Sequence, residues 1–109
     1  MSYNEELGQR MRVHLATMRG IQEKKLFGDI GFLINGNMAC GVHRDDLIVR
    51  VGDADYEAAL RLKHVKVFDM TGRPMKGWIT VQKPGYASDA ALHGWIAKSI
   101  RFAKSLPPK

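Results

Sequence analysis

The stretch TGRPMKGW, Thr71 to Trp78, places Arg73 and Lys76 close together with no carboxylate between them. A guanidinium and an ammonium so near each other are suited to contact an anion. Pro74 pushes Arg73 out of the α region and stiffens the loop, Gly72 permits a tight turn, and Gly77 leaves room beside Trp78. As structure the stretch is a hairpin connection in which Trp78 anchors the next strand, and that reading carries more weight. As function it is a stiffened loop presenting two cations. Lys98, Arg101 and Lys104 pose the same choice, since a basic helix face either tracks a phosphate backbone or complements the negative end of the helix dipole. Arg73, Lys76, Lys98 and Arg101 are therefore the candidate anion or nucleic-acid contacts.

Other reactive side chains offer less. His14, His43, His64 and His93 are scattered, with no two at the three- or four-residue spacing of helical metal ligands, so metal binding has little support from spacing. His14 shares a helix flank with Met11 and Met18 and reads as a partly buried structural imidazole. Period two along Met38–Val42 puts Cys40 on one face with Met38 and Val42, as a small core or interface hydrophobe without the cationic setting of an activated thiolate. Asp45-Asp46 is an adjacent carboxylate pair at a hairpin tip, where solvated turn residues are expected. The glycines of FGDIGFLINGNMACG alternate with strand residues and no helix follows, so turns and close packing explain them better than a phosphate loop does. No nucleophile elbow, Walker loop or dinucleotide fingerprint occurs. We expect no catalytic residue, no cofactor and no metal ligand, and hence no enzyme.

Composition bounds the setting. With 109 residues, 45% hydrophobic and 26% charged, the chain suits one domain, 1–109, with a core of its own. No apolar run approaches the roughly 20 residues of a membrane span, and the N-terminus lacks the pattern of a secretory leader, so a cytoplasmic location is expected. A single cysteine allows no internal disulfide. Residues 1–57 carry seven Lys/Arg and nine Asp/Glu, whereas residues 58–109 carry ten against two. The second half thus holds a balance of +8 in a chain of net charge +6. Such a field favours phosphate-bearing partners or acidic protein surfaces, although solubility alone also accounts for a charge of this size.

The elements that must position these residues follow from periodicity. Ser2 and Glu5 have capping-box spacing ahead of Leu7, Met11, Leu15 and Met18, which predicts a helix over about 3–19 closed by Gly20. A strand over Ile21–Phe27, an Asn35-Gly36 hairpin, a polar turn at His43–Asp46 and a strand Leu47–Val51 make an antiparallel meander. Asp53 caps a helix from Ala54 to about Leu62, and Val65, Val67 and Gly77–Gln82 give two further strands. Lys83-Pro84-Gly85 reads as a turn. Ser88 or Asp89 caps the last helix, with Leu92, Trp95, Ile96, Ile100 and Ala103 as its core stripe. The predicted class is α+β: helix, meander, helix, two strands, helix.

The segments YNEEL, EKKLFGDIGFLINGNMACGV, DDLIVRVG, FDMTGRPMKGWITV and FAKSLPPK, in that order, resemble the TfoX N-terminal domain family over nearly the whole chain. The most specific matches are Lys25–Gly28, Thr71–Gly77 and Ser105–Lys109. The resemblance implies a compact α+β domain of secretion-chaperone-like architecture and a bacterial regulatory setting, the family name coming from a competence regulator that acts with a cyclic-AMP receptor protein. The chain ends where that regulator's helical second domain would begin, so the stand-alone short form is implied. The expected function is a non-enzymatic regulatory or accessory binding module contacting a protein partner or nucleic acid through its basic surface. The alternatives are a chaperone-like interaction dimer, which allows a homodimer, and a small enzyme whose site is assembled from residues distant in sequence.

Overall fold

The computed structural model describes residues 3–26, 28–69 and 72–109. Its elements are α1 (Glu5–Leu15), β1 (Ile21–Leu26), β2 (Asp29–Ile34), β3 (Asn37–His43), β4 (Asp46–Arg50), α2 (Asp53–Leu60), β5 (Val65–Val67), β6 (Trp78–Val81), α3 (Lys83–Tyr86) and α4 (Asp89–Lys104). The class is α+β, and the six strands form one antiparallel sheet in the order β1-β2-β3-β4-β6-β5.

Asn35 and Gly36 both have positive φ, 53° and 84°, so β2 turns into β3 through the two-residue connection that this dipeptide favours. Directly opposed residues share a face, so the register places Ile30, Phe32, Cys40, Val42, Leu47, Val49, Ile79 and Val81 together on one side. All eight are buried, with Leu7, Met11 and Leu15 of α1 and Leu92, Ile96, Ile100 and Ala103 of α4 in the same core cluster. Each large aliphatic side chain removed from water in this way contributes about 1.5–3 kcal/mol.

Several boundaries differ from the sequence reading. Helix α1 is shorter than 3–19: the Asn4 side chain, not Ser2, caps it by accepting from the Leu7 N–H at 3.0 Å. Ser2 lies outside the described residues. An isolated bridge from Tyr3 to Arg44 holds the chain in register with the sheet before the helix starts. Gly20, with φ 79°, serves the entry to β1 instead of closing the helix, and its carbonyl accepts from the Asn35 N–H at 3.1 Å. Met18, beyond the helix, still packs partly buried against the core. Phe27, the expected end of β1, lies outside the described residues. Asp53 is the first residue of α2 and not its cap, a position held by Gly52. Lys83–Tyr86 forms a short helix in place of a turn, with Pro84 in its first turn, where a missing N–H costs nothing. Ser88 caps α4 by accepting from the Ala91 N–H at 3.1 Å.

The period-two placement of Cys40 with Met38 also needs correction. Phe32 faces Cys40, but Leu33 faces Met38, so Ala39 is the extra residue of a bulge. Cys40 and Val42 point to the helices, and Met38 points to the opposite side with Leu33. Cys40 is 1% exposed and its thiol is pushed up to about 12 by burial.

Two clasps complete the frame. Arg12 of α1 holds Glu23 of β1 through two hydrogen bonds, 2.7 and 3.0 Å, which raise the guanidinium and lower the carboxyl from their ordinary values. The tail returns to the β2–β3 hairpin, where Asn37 Nδ2 donates to the Pro107 carbonyl at 2.9 Å and the Lys109 N–H donates to the Asn35 carbonyl at 2.8 Å.

Candidate anion-contact surface

In the connection between β5 and β6, residues 68–69 and 72–77 are described, and hydrogen bonds tie them together. The Met75 N–H donates to the Phe68 carbonyl at 3.0 Å, and Asp69 Oδ1 accepts from the Gly72 N–H at 2.6 Å, which ties the turn ahead of Arg73. Its far end is pinned to the entry of α2: the Gly77 carbonyl accepts from the N–H groups of both Val51, at 2.8 Å, and Gly52, at 3.0 Å. Thr71, the first residue of the octapeptide, lies outside the described residues. Arg73 and Lys76 are exposed on this loop, and neither makes an ion pair among the described residues.

Trp78 anchors the loop. It faces Arg50 across β4 and β6, and the Arg50 guanidinium lies 5.2 Å from the Trp78 ring centre and 5.5 Å from that of Phe102 on α4. Arg50 also donates to the Met38 carbonyl at 3.2 Å. The loop's C-terminal end and the C-terminal half of α4 are thereby connected through one half-buried cation that contacts both rings.

The two α4 candidates differ. Arg101 is exposed in the last turn of the helix. Lys98 is engaged by Asp55 of α2, Nζ to Oδ2 3.4 Å, and Asp53 lies beside Gly77. The first turn of α2 thus supplies two carboxylates next to the basic residues, something their sequence separation concealed. An exposed pair of this kind contributes about 0–1 kcal/mol, but it reduces the charge that Lys98 offers to a partner.

Helices α2 and α4 also flank an open groove of about 460 Å³, lined by Asp55, Ala58, Leu62, Ala90, Gly94 and Lys98 among others. Leu62 at its edge is 53% exposed. The Trp95 ring borders it, half-buried rather than inside the core as the apolar stripe suggests, because its Nε1 reaches out to donate to the Gly85 carbonyl at 3.0 Å.

Among the other candidates, Asp45 sits at the β3–β4 turn, where its side chain accepts from Asn4 Nδ2 at 3.3 Å and its carbonyl from the Tyr86 hydroxyl at 2.6 Å. Burial, with Asp45 and Asp46 nearby, raises the Tyr86 phenol above its ordinary value. His43 Nδ1 lies 2.7 Å from Asp29 Oδ2. His14 and His93, far apart in the sequence, meet across α1 and α4. No three His, Cys, Asp or Glu side chains gather to hold a metal ion among the described residues, and no helix there is long and apolar enough to cross a membrane.

The fold is thus an antiparallel six-stranded sheet packed against terminal helices, with a cationic loop leading into β6. The family model for the TfoX N-terminal domain matches residues 14–103, and the chain belongs to that family. No curated protein matches the chain.

Proposed function

We propose that this protein is a non-enzymatic regulatory or accessory binding module that contacts phosphate-bearing or acidic partners through its basic second half, with Arg73 and Lys76 as the leading contacts. The carrying observation is the loop itself: two exposed cations, unpaired among the described residues, on a connection closed by Asp69 and pinned at Gly77. Side chains on such a loop lose little backbone entropy on binding. Arg101 extends the surface along α4, and Lys98 joins it when released from Asp55. Membership of the TfoX N-terminal domain family supports a regulatory role. The test is binding to duplex DNA over a salt series. Each cation paired with a phosphate contributes about 0.9 to the log–log slope, so Arg73→Ala with Lys76→Ala flattens it by up to about two units. Binding to duplex that is absent or independent of salt removes nucleic acid as the partner.

The groove between α2 and α4 favours a second reading, a protein-interaction module, because its floor is small and apolar and Leu62 stands exposed at its edge. Light scattering across a concentration series checks for self-association, and charge placed at Leu62 then abolishes it.

A further inference from the structure

We propose that His14 and His93 form a two-histidine site for a divalent transition-metal cation, of the class of Zn²⁺, bridging α1 and α4. Their Nδ1 atoms are 3.4 Å apart, and their ring centroids 5.3 Å apart with planes inclined at 47°. For a hydrogen bond between the rings that separation is long, since N–H donors usually approach to about 2.9–3.0 Å. For chelation it fits. Two imidazole nitrogens held at about 2.05 Å by one tetrahedral Zn²⁺ stand about 3.3–3.4 Å apart, with their ring centroids roughly 5.2 Å apart. Both distances are met as the rings stand.

The site is also held in place. One helical turn before each histidine, Arg10 of α1 and Asp89 of α4 form an ion pair at 3.1 Å, and Arg10 donates further to the carbonyls of Tyr86 and Ala87 at 3.3 and 3.1 Å. These bonds tie α1 to the first residue of α4 and to the segment before it without involving the histidines, so a cation meets ligands that are already side by side. His14 is half-buried and His93 is exposed, which gives ions access. With two protein ligands, two coordination positions remain for water or a partner's donor, and the cation exchanges readily instead of being locked in as in a closed structural zinc site. Imidazole binds metal only when neutral, and the charged groups one turn away, Arg10 and Asp89, offset each other.

The test is titration of the untagged full chain with ZnCl₂ at pH 7.5, read by calorimetry and thermal unfolding. A saturable single site is expected, with Tm rising on the order of 10 °C at a hundredfold excess over Kd. His14→Gln and His93→Gln each weaken binding tenfold or more, because the second ligand acts at a high effective concentration. His64→Gln leaves it unchanged. Should a variant misfold, the imidazole NMR resonances of the unmodified chain decide: Zn²⁺ shifts those of His14 and His93 first. No saturable binding at pH 7.5, undiminished binding in folded His14→Gln or His93→Gln, or first shifts at His43 or His64 overturns the proposal.

Discussion

Arg50 and Trp78 stand directly opposite each other on β4 and β6, and the guanidinium of the first lies 5.2 Å from the ring centre of the second. The Phe102 ring centre lies 5.5 Å from the same guanidinium, so a strand, the candidate loop and the last helix meet at one cation. Replacing Arg50 by alanine removes two cation–π contacts and the bond to the Met38 carbonyl, for an expected loss of about 1–3 kcal/mol in urea unfolding. Arg50→Lys recovers only part of it, because an ammonium lacks the planar face that a guanidinium offers to aromatic rings. Full recovery by lysine indicates that charge alone, without stacking, holds the junction.

Neighbouring residues on α4 should respond very differently to truncation. Ile96 is 1% exposed in the core, and Ile96→Ala is expected to cost about 2–5 kcal/mol. Trp95 lies at the rim and is tied by its Nε1 to Gly85, so Trp95→Phe costs about 1 kcal/mol, the worth of one hydrogen bond. Equal losses at the two positions would mean that the indole belongs to the core after all.

Cys40 gives a pH-dependent prediction. Its thiol, ordinarily at 9.0, is held up to about 12 by burial in the folded chain. Between those values the unfolded chain has lost the proton and the folded chain retains it, so stability falls as pH rises. The slope approaches about 1.4 kcal/mol per pH unit. Below pH 9 the thiol is protonated in both states and its effect on stability is constant. The raised Tyr86 phenol adds a loss of the same sign at alkaline pH, and comparison with Cys40→Ala isolates the thiol. Identical alkaline profiles for the two proteins would show that the thiol is not desolvated. A thiol reagent should likewise label Cys40 only after unfolding.

Local chemistry was legible in the sequence wherever one conformation was demanded by adjacent residues. Asn35-Gly36 announced its hairpin because few other dipeptides accept two positive φ values, and Leu7, Met11 and Leu15 announced their helix face by spacing alone. The end of α1 was misplaced because a glycine such as Gly20 serves a helix exit and a strand entry equally well. The Ala39 bulge had no local mark, and it moved Met38 to the other face from Cys40. Of the candidate site, the exposure of Arg73 and Lys76 followed from turn chemistry. The Asp55–Lys98 pair and the meeting of His14 with His93 did not, since both arise where helices distant in the chain approach one another.

Asp55 decides how far the basic surface extends along α4. It is 55% exposed and Lys98 34%, so Asp55→Asn should change stability by less than about 0.5 kcal/mol while releasing the ammonium. If the released Lys98 reaches a phosphate, the log–log salt slope for duplex DNA steepens by about 0.9, in the opposite direction to the loss from Arg73→Ala with Lys76→Ala. Combining Asp55→Asn with Lys98→Ala returns the slope to its starting value, which separates the added contact from a general gain in net charge. A slope that Asp55→Asn leaves untouched, in a protein whose loop variant still flattens it, confines the contact to the loop and removes Lys98 from the surface. If neither variant moves the slope, the cations of residues 73–101 serve solubility, and the loop's role is to place Trp78 against Arg50.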